Sequence, residues 1–421
     1  DEDRRKALAA HAWKCESSSK IAAMIQLLPS EPGISVSHEL FDRDKMLLNT
    51  VSGTIDLSSG HIRPHSPDDL ITKVAPIEYD PDAKCERWEQ FILEIMAGDA
   101  ELGSFLQRLL GYCLTGETRE QVWSFLWGKG DNGKGVLLAT LAHVLGDYAR
   151  TTPPETFMEN TDKERLHELA RLRGARLVSA SELPNNKKFN PRILKAFTGE
   201  DIVPARAMYR DGFEYLPEAK LFFSANHRPE VRDTSHGFWR RPLLIPFTRV
   251  FGPDEKDDTL RERFQAEAPG ILNWLIQGCL DWQDIGLNTP QTVLSAVDEY
   301  RSETDVLADF LESCCEIGPG QTIAVKELYE SYQAYCEDKG IHRGLGKQRF
   351  NEDLLGRPGI TKRKTGPEHR RFWTWEGIGL ISQNRPSARR KCDTCNLEGQ
   401  PCPKNRDERE AATCQYYETY H

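Results

Sequence analysis

The sequence predicts an α/β protein: a parallel sheet covered by helices, with a helical segment ahead of it and a winged-helix-like unit behind it. Three patterns carry that prediction. Short, largely apolar runs at 121–127, 175–180, 220–225 and 242–247 alternate with helical stretches, which is how a parallel sheet covered on both faces reads. A glycine-rich loop, Gly128 to Gly135, joins the first run to a helix-patterned segment at 136–145. After Asp305, three helical segments lead into a basic stretch at 360–375 whose end, Phe372 to Trp375, alternates like a strand.

Residues 1–75 mix a short helix at 18–28 with strand-like runs, including 47–57 with a turn at Ser52 and Gly53, and read as an N-terminal accessory region. Between 76 and 118 apolar residues recur at spacings of three and four (Trp88, Phe91, Ile92, Ile95, then Leu102, Phe105, Leu106, Leu109, Leu110), so two or three amphipathic helices precede the core. The core spans 119–290 and closes with helical sequence at 255–285, where Ile271, Leu272, Trp274, Leu275 and Ile276 form the apolar face. Helices are expected at 306–315, 325–337 and 347–355 within a unit at 300–378, and 379–421 is a polar, cysteine-rich tail. No internal repeat is visible.

With 421 residues and 38% hydrophobic content, the chain can fill several cores. No apolar run approaches the roughly 18–20 residues of a membrane span, and no basic-then-apolar signal opens the chain, so a cytoplasmic protein with no membrane partner is expected. The chain begins at Asp1 without a methionine, as a piece of a longer protein would. Cys15, Cys85, Cys113, Cys279, Cys314, Cys315 and Cys336 are scattered, as reduced cytosolic thiols are. A net charge of −10 excludes a uniformly basic nucleic-acid coat, yet positive charge gathers at Lys362, Arg363 and Lys364, at His369, Arg370 and Arg371, and at Arg389, Arg390 and Lys391.

The run Gly128, Lys129, Gly130, Asp131, Asn132, Gly133, Lys134, Gly135 nearly completes the phosphate-loop pattern G-x-x-x-x-G-K-[ST]. Glycines let successive backbone N–H groups turn toward phosphate oxygens at the start of the helix that Val136 opens, and Lys134 neutralises the outer phosphates. A ligand-free glycine turn is the plainer reading, and the flanking strand and helix weigh against it. Where a hydroxyl normally holds magnesium stands Gly135, so that ligand must come from water or another residue, or the metal is held less firmly.

Hydrolysis needs an acid to activate water and a polar probe of the γ-phosphate. Glu182 ends the apolar run that starts at Arg176, at the strand edge where ligands bind in open α/β sheets, and reads as a general base. Ser181 precedes it, where a second acid is common. Asn226 ends the run from Leu221 and reads as the sensor amide. Arg240 and Arg241 precede the run at 242–247 and offer an arginine finger toward a neighbouring subunit. Each has an ordinary alternative: a surface glutamate, a turn asparagine before Arg228 and Pro229, a surface arginine pair.

These motifs, in this order and spacing, resemble the superfamily 3 helicases of the AAA+ class, in particular the helicase half of phage and plasmid primase-helicases related to a poxvirus replication ATPase. The resemblance runs from about Leu47 to Trp375 and rests on Leu106 to Gly116, on Leu194 to Asp201 with Arg206, on Leu221 to Pro229, and on Trp239 to Phe247. It implies an AAA+ core with a collar for oligomerisation at 76–118, a homo-hexameric ring, Mg2+-dependent ATP hydrolysis and 3′-to-5′ movement on single-stranded DNA. It also implies a host-cell cytoplasmic setting, bacterial for a phage or mobile element, with a primase domain or partner. Lys195, Thr198, Gly199 and Asp201 match the start of the DNA-gripping element, and 206–215 matches a pore hairpin with Tyr209 and Arg210 nearest its tip. There Arg210 and Arg206 would meet phosphates and Tyr209 a base or sugar. Alignment favours Arg241 as the finger, with Arg240 second. The winged-helix resemblance assigns Lys347, Arg349, Lys362, Arg363, Lys364, Arg370 and Arg371 to duplex origin DNA or, equally, to protein contacts. The alternative within the same class is an origin-binding or loader ATPase that does not unwind. A structural DNA-binding protein with a degenerate ATP site is a third reading, drawn from Gly135 and Ser181.

Cys392, Cys395, Cys402 and Cys414 place four thiols in a tail without an apolar core, where Zn2+ would supply the folding energy and His421 is a substitute ligand. Free thiols in an unfolded tail are the alternative.

Overall fold

The computed structural model describes residues 2–381 apart from 32, 160–161, 185–186, 230, 232, 234, 305, 342–343 and 367–370. Two compact units divide the chain, one ending at Asp305 and the other starting at Val306. Helices α1 (Glu2–Cys15) and α2 (Ser18–Leu27) open the first unit, and neither buries a residue. Alanine and lysine give α1 its helix propensity, but it has no apolar stripe, so hydrophobic periodicity passes over it. An antiparallel meander of β1 (Leu47–Asn49), β2 (Thr54–Asp56) and β3 (His61–Arg63) follows, with the expected turn between its first two strands.

The stripes at spacings of three and four become α3 (Glu86–Ile95) and α4 (Ala100–Tyr112), the second capped by Asp99, whose carboxylate accepts from the Leu102 N–H. The core then alternates as expected: β4 (Trp123–Trp127), α5 (Lys134–Leu145), β5 (Ala149–Thr151), α6 (Asp162–Arg171), β6 (Leu177–Ser181) and α7 (Pro191–Thr198). A two-stranded hairpin, β7 (Val203–Arg206) and β8 (Gly212–Tyr215), precedes β9 (Lys220–Ala225), α8 (His236–Trp239) and β10 (Pro242–Pro246). Helices α9 (Leu260–Ala266), α10 (Ala268–Ile285) and α11 (Gln291–Thr304) complete the unit. Five strands form one sheet in the order β10-β4-β9-β6-β5, every pair parallel. This is the α/β core read from the sequence, with its helical collar in front.

Alternation along β4 sends Trp123 and Phe125 to an aromatic core shared with Phe157, Phe189, Phe197 and Phe223, while Leu126 joins the core beneath α3, α4 and α10. Helices α4 and α10 cross so closely that a Cβ on Gly111 would lie 2.2 Å from Cys279 N and one on Gly278 2.2 Å from Gln107 O. Two buried cations fasten the chain after α4 to the sheet. Arg176 donates to Leu114 O at 2.5 Å and Leu47 O at 2.8 Å. Lys220, pushed down to about 7 by burial, donates to the carbonyls of Thr115, Glu117 and Glu218.

The second unit contains α12 (Val306–Cys314), β11 (Cys315–Ala324), α13 (Val325–Asp338), α14 (Lys347–Leu355), β12 (Thr361–Thr365) and β13 (Phe372–Leu380). Its antiparallel sheet runs β11-β13-β12 around a core of Phe310, Leu328, Tyr332, Phe350 and Trp375, the wing-like arrangement the helix-then-hairpin pattern predicted. Strand β11 escaped prediction because Gly318, Pro319 and Gly320 interrupt it, and its pairing is irregular between Ile317 and Thr322.

Candidate functional site

Because β4, β9 and β6 are adjacent and parallel, the three loops leaving their C-terminal ends meet along one edge of the sheet. The glycine loop leaves β4. Gly130, Asp131 and Gly133 have φ of 99°, 44° and 81°, the left-handed conformations that turn backbone amides into an anion-binding concavity. Gly128 is required by space, since a Cβ there would lie 2.4 Å from Phe247 O; at Gly133 a Cβ would lie 2.5 Å from Ile95 Cγ2 of α3. The collar therefore packs directly against the loop. Asn132 is buried and donates to Phe247 O at 3.5 Å. Around Gly135 nothing lies within 4 Å of a would-be Cβ, which leaves room for a hydrated metal or a larger side chain ahead of Val136.

Lys134 is buried, and its ammonium donates to Gly128 O at 2.7 Å and to Asn226 Oδ1 at 3.4 Å. Burial pushes it down to about 8. Asn226 is otherwise exposed at the end of β9. Glu182 follows β6, exposed, with its N–H donating to Ser224 O at 3.2 Å and with φ at 61°. A non-glycine residue there carries backbone strain of roughly 1–2 kcal/mol, a feature that gathers at functional sites. Ser181 is exposed beside it. Lys134, Asn226 and Glu182 thus arrive at one edge from three neighbouring strands.

Sequence patterns gave no hint of the segment after β10. Phe251 N donates to Asp131 O at 2.7 Å, and Lys256 pairs with the Asp131 carboxylate at 3.0 Å, so 247–256 lies over the loop. It has no motif, and its part is set by the strand that delivers it.

The arginine pair sits at the opposite edge. Pro242 is in register with Trp123, so Arg240 and Arg241 precede β10 where the glycine loop follows β4, about 16 Å of strand away at roughly 3.3 Å per residue. Arg241 is buried, donating to Gly237 O and Thr198 Oγ1 at 3.0 Å each. Arg240 is exposed, donating to Gln121 Oε1 at 2.7 Å at the rim of a groove of about 450 Å³ shared with Glu120, Trp239, Leu294 and Asp298.

The hairpin of β7 and β8 projects Tyr209, 99% exposed with φ at 58°, at its tip beside exposed Arg210. Arg206 braces the turn by donating to Arg210 O at 3.1 Å. Lys195 lies elsewhere: its ammonium is held by Asp233 at 2.6 Å and Ser235 at 3.0 Å, which ties α7 to the loop after Asn226. In the second unit Lys362, Arg363 and Lys364 lie on β12, Lys347 and Arg349 on α14, and Arg371 just before β13; Arg370 falls outside the described residues. So do Cys392, Cys395, Cys402, Cys414 and His421. Among the described residues no group of His, Cys, Asp or Glu is arranged to hold a metal, and no helix is long and apolar enough to cross a membrane.

Family models match three stretches: D5 N terminal like over 1–97, a family of unknown function (DUF5906) over 126–241, and poxvirus D5 protein-like over 302–355. The middle match contains all of Lys134, Glu182, Asn226, Arg240 and Arg241. Among curated proteins the chain is 28% identical over 292 residues to "Putative helicase L207/L206" of Acanthamoeba polyphaga mimivirus, covering 64% of this chain and 30% of that protein. It is 25% identical over 384 residues to "Putative helicase 184R" of Invertebrate iridescent virus 6, covering 80% and 39%, and 25% identical over 155 residues to "Primase D5" of Fowlpox virus, covering 36% and 19%. The chain thus spans well under half the length of these relatives. A solved structure of the NrS-1 C-terminal region in its A-form apo state aligns at a TM-score of 0.43 and 13% identity over 68% of this chain and 67% of that one, a likeness too loose to locate any residue.

Proposed function

From the likeness to viral helicase and primase proteins related to poxvirus D5, we propose that this chain is the motor portion of a replicative DNA helicase, driven by ATP and Mg2+. One observation carries the reading: Lys134, Asn226 and Glu182 arrive from neighbouring strands at the phosphate-loop edge of the sheet, while the arginine pair lies at the opposite edge, away from its own subunit's loop. A site divided in this way is complete only in a ring, here a homo-hexamer with 76–118 as its collar and 119–290 as its motor.

In this scheme the amides of the glycine loop and Lys134 hold the outer phosphates, and Mg2+, when bound, would supply further charge neutralisation. Glu182 takes the proton of the attacking water, and Asn226 orients that water or the γ-phosphate. Arg240, the exposed member of the pair, enters the adjacent site as the finger; Arg241, bonded to its own subunit, braces the strand behind it. Hydrolysis moves the hairpin, so that Arg206, Tyr209 and Arg210 draw single-stranded DNA 3′ to 5′ through the pore. The basic face of the winged unit binds duplex DNA near an origin. The viral relatives favour a large DNA virus or a kindred mobile element as the source, with an infected cell in place of the bacterial host as the setting.

The test is displacement of a strand from a forked duplex. The wild-type chain should unwind it with ATP, and Lys134→Ala and Glu182→Gln should not. DNA-stimulated hydrolysis without displacement would make the protein a loader, and unwinding that survives either substitution would overturn the site.

A further inference from the structure

The winged unit carries an arrangement that the ATP site does not use. β12 and β13 pair with Lys364 opposite Trp373 and Lys362 opposite Trp375, which puts these four side chains on one face of the ribbon. The Lys364 and Lys362 ammoniums lie 5.1 and 5.5 Å from the centre of the Trp373 ring, and Lys362 lies 5.2 Å from that of Trp375. Trp375 is wholly buried in the unit's core, but Trp373, one repeat further out, is 47% exposed. On the other face Phe372 is 54% exposed, two positions along from Thr374, which pairs with exposed Arg363.

Two like charges over one indole repel each other, and an exposed cation–π contact holds each only weakly. Phosphodiester oxygens would draw both ammoniums off the ring and uncover a planar apolar face between them. A nucleobase fills such a face whatever its identity, because every base has a π-surface. An acidic peptide would satisfy the lysines and leave the indole without a planar partner.

We infer that the β12–β13 ribbon is a stacking site for an unpaired nucleobase, with Trp373 as the platform and Lys362 and Lys364 as clamps on the flanking phosphates. The site rests on the proposed function only in taking nucleic acid as the ligand.

Equilibrium binding without nucleotide tests it, using the full chain carrying Tyr209→Ala and Arg210→Ala so that the hairpin does not mask the wing. Probes are a labelled single-stranded oligonucleotide, a blunt duplex of equal length, and poly-glutamate as competitor. Adding Trp373→Ala should weaken single-strand binding about tenfold, about 1.4 kcal/mol, with a smaller loss on duplex; Trp373→Phe should keep most of it. Adding Lys364→Gln should lower the salt slope by about one charge. Unchanged single-strand affinity in Trp373→Ala would overturn the inference. So would equal losses on duplex and single strand, or poly-glutamate binding in place of the oligonucleotide. Failure of the helicase reading registers elsewhere, in strand displacement by the Lys134→Ala chain.

Discussion

Burial alone takes Lys134 down to about 8, and the two oxygens that accept from its ammonium, Gly128 O and Asn226 Oδ1, are neutral and bring no counter-charge to offset it. A bound polyphosphate opposes that descent and pulls the ammonium back toward the ordinary lysine range. The sign follows: between about pH 8 and that range, the bound form holds more protons than the free form, so nucleotide binding takes up a proton and affinity falls as pH rises through 8. Calorimetry in buffers of different ionisation enthalpy should detect proton uptake at pH 9 and almost none at pH 6.5; uptake that does not change with pH would contradict it. At Gly135 the open space predicts that Gly135→Ser is tolerated and lowers the magnesium concentration for half-maximal hydrolysis, read from a magnesium titration of ATPase. Glu182 joins strain to chemistry. Glu182→Gly should be neutral or stabilising by up to about 1 kcal/mol in denaturant unfolding while hydrolysis is lost, whereas a loss of both would mean that the side chain also serves the fold.

At the scale of elements, close packing between helices and loop decides what the site can tolerate. Gly111 and Gly278 let α4 and α10 meet backbone to backbone, and Gly133 admits Ile95 from α3 onto the phosphate loop. Gly111→Ala would drive a methyl group into the Cys279 amide from a helix that has no room to retreat. It should cost about 3 kcal/mol and lower the thermal midpoint, while Gly135→Ala, with open space around it, should leave that midpoint unmoved. Arg176 and Lys220 act at the same scale, since each supplies buried N–H donors to carbonyls left free past the end of α4. Neither residue stood out in the sequence, where both are charged residues at strand starts.

For the whole molecule, the separation of Lys134 from Arg240 across the sheet carries the prediction, under the proposed ring, that activity is a property of neighbouring subunits. Mixing Arg240→Ala chains into wild-type assemblies should lower ATPase more steeply than dilution, with the pure variant reduced by about 10³-fold or more. Arg241→Ala should instead lose stability, because Thr198 Oγ1 and Gly237 O give up a buried donor. Linear dilution by Arg240→Ala and poisoning by Arg241→Ala would return the finger to Arg241. The division between sequence and structure follows the same line. Apolar strands and the amphipathic stripes of α3 and α4 were legible because each repeats with the period of its own element, the glycine loop because of its composition, and the strand-end positions of Glu182 and Asn226 because each ends an apolar run. Helix α1 lacks a stripe and β11 is broken by glycine and proline, so neither announced itself. Burial order is a property of three dimensions: the resemblance ranked Arg241 ahead of Arg240 as the finger, and the packing of α7 and α8 turned Arg241 inward and left Arg240 in solvent. The same holds for Lys195, whose match to a DNA-gripping motif could not foresee Asp233, and for the cover of 247–256 on the phosphate loop. Local pattern determined which elements form and what chemistry the loop offers. Which charged side chains remain free to use it was decided by the partners that the tertiary fold delivers, because a charge is satisfied by whatever lies within a few ångströms, whatever its distance along the chain.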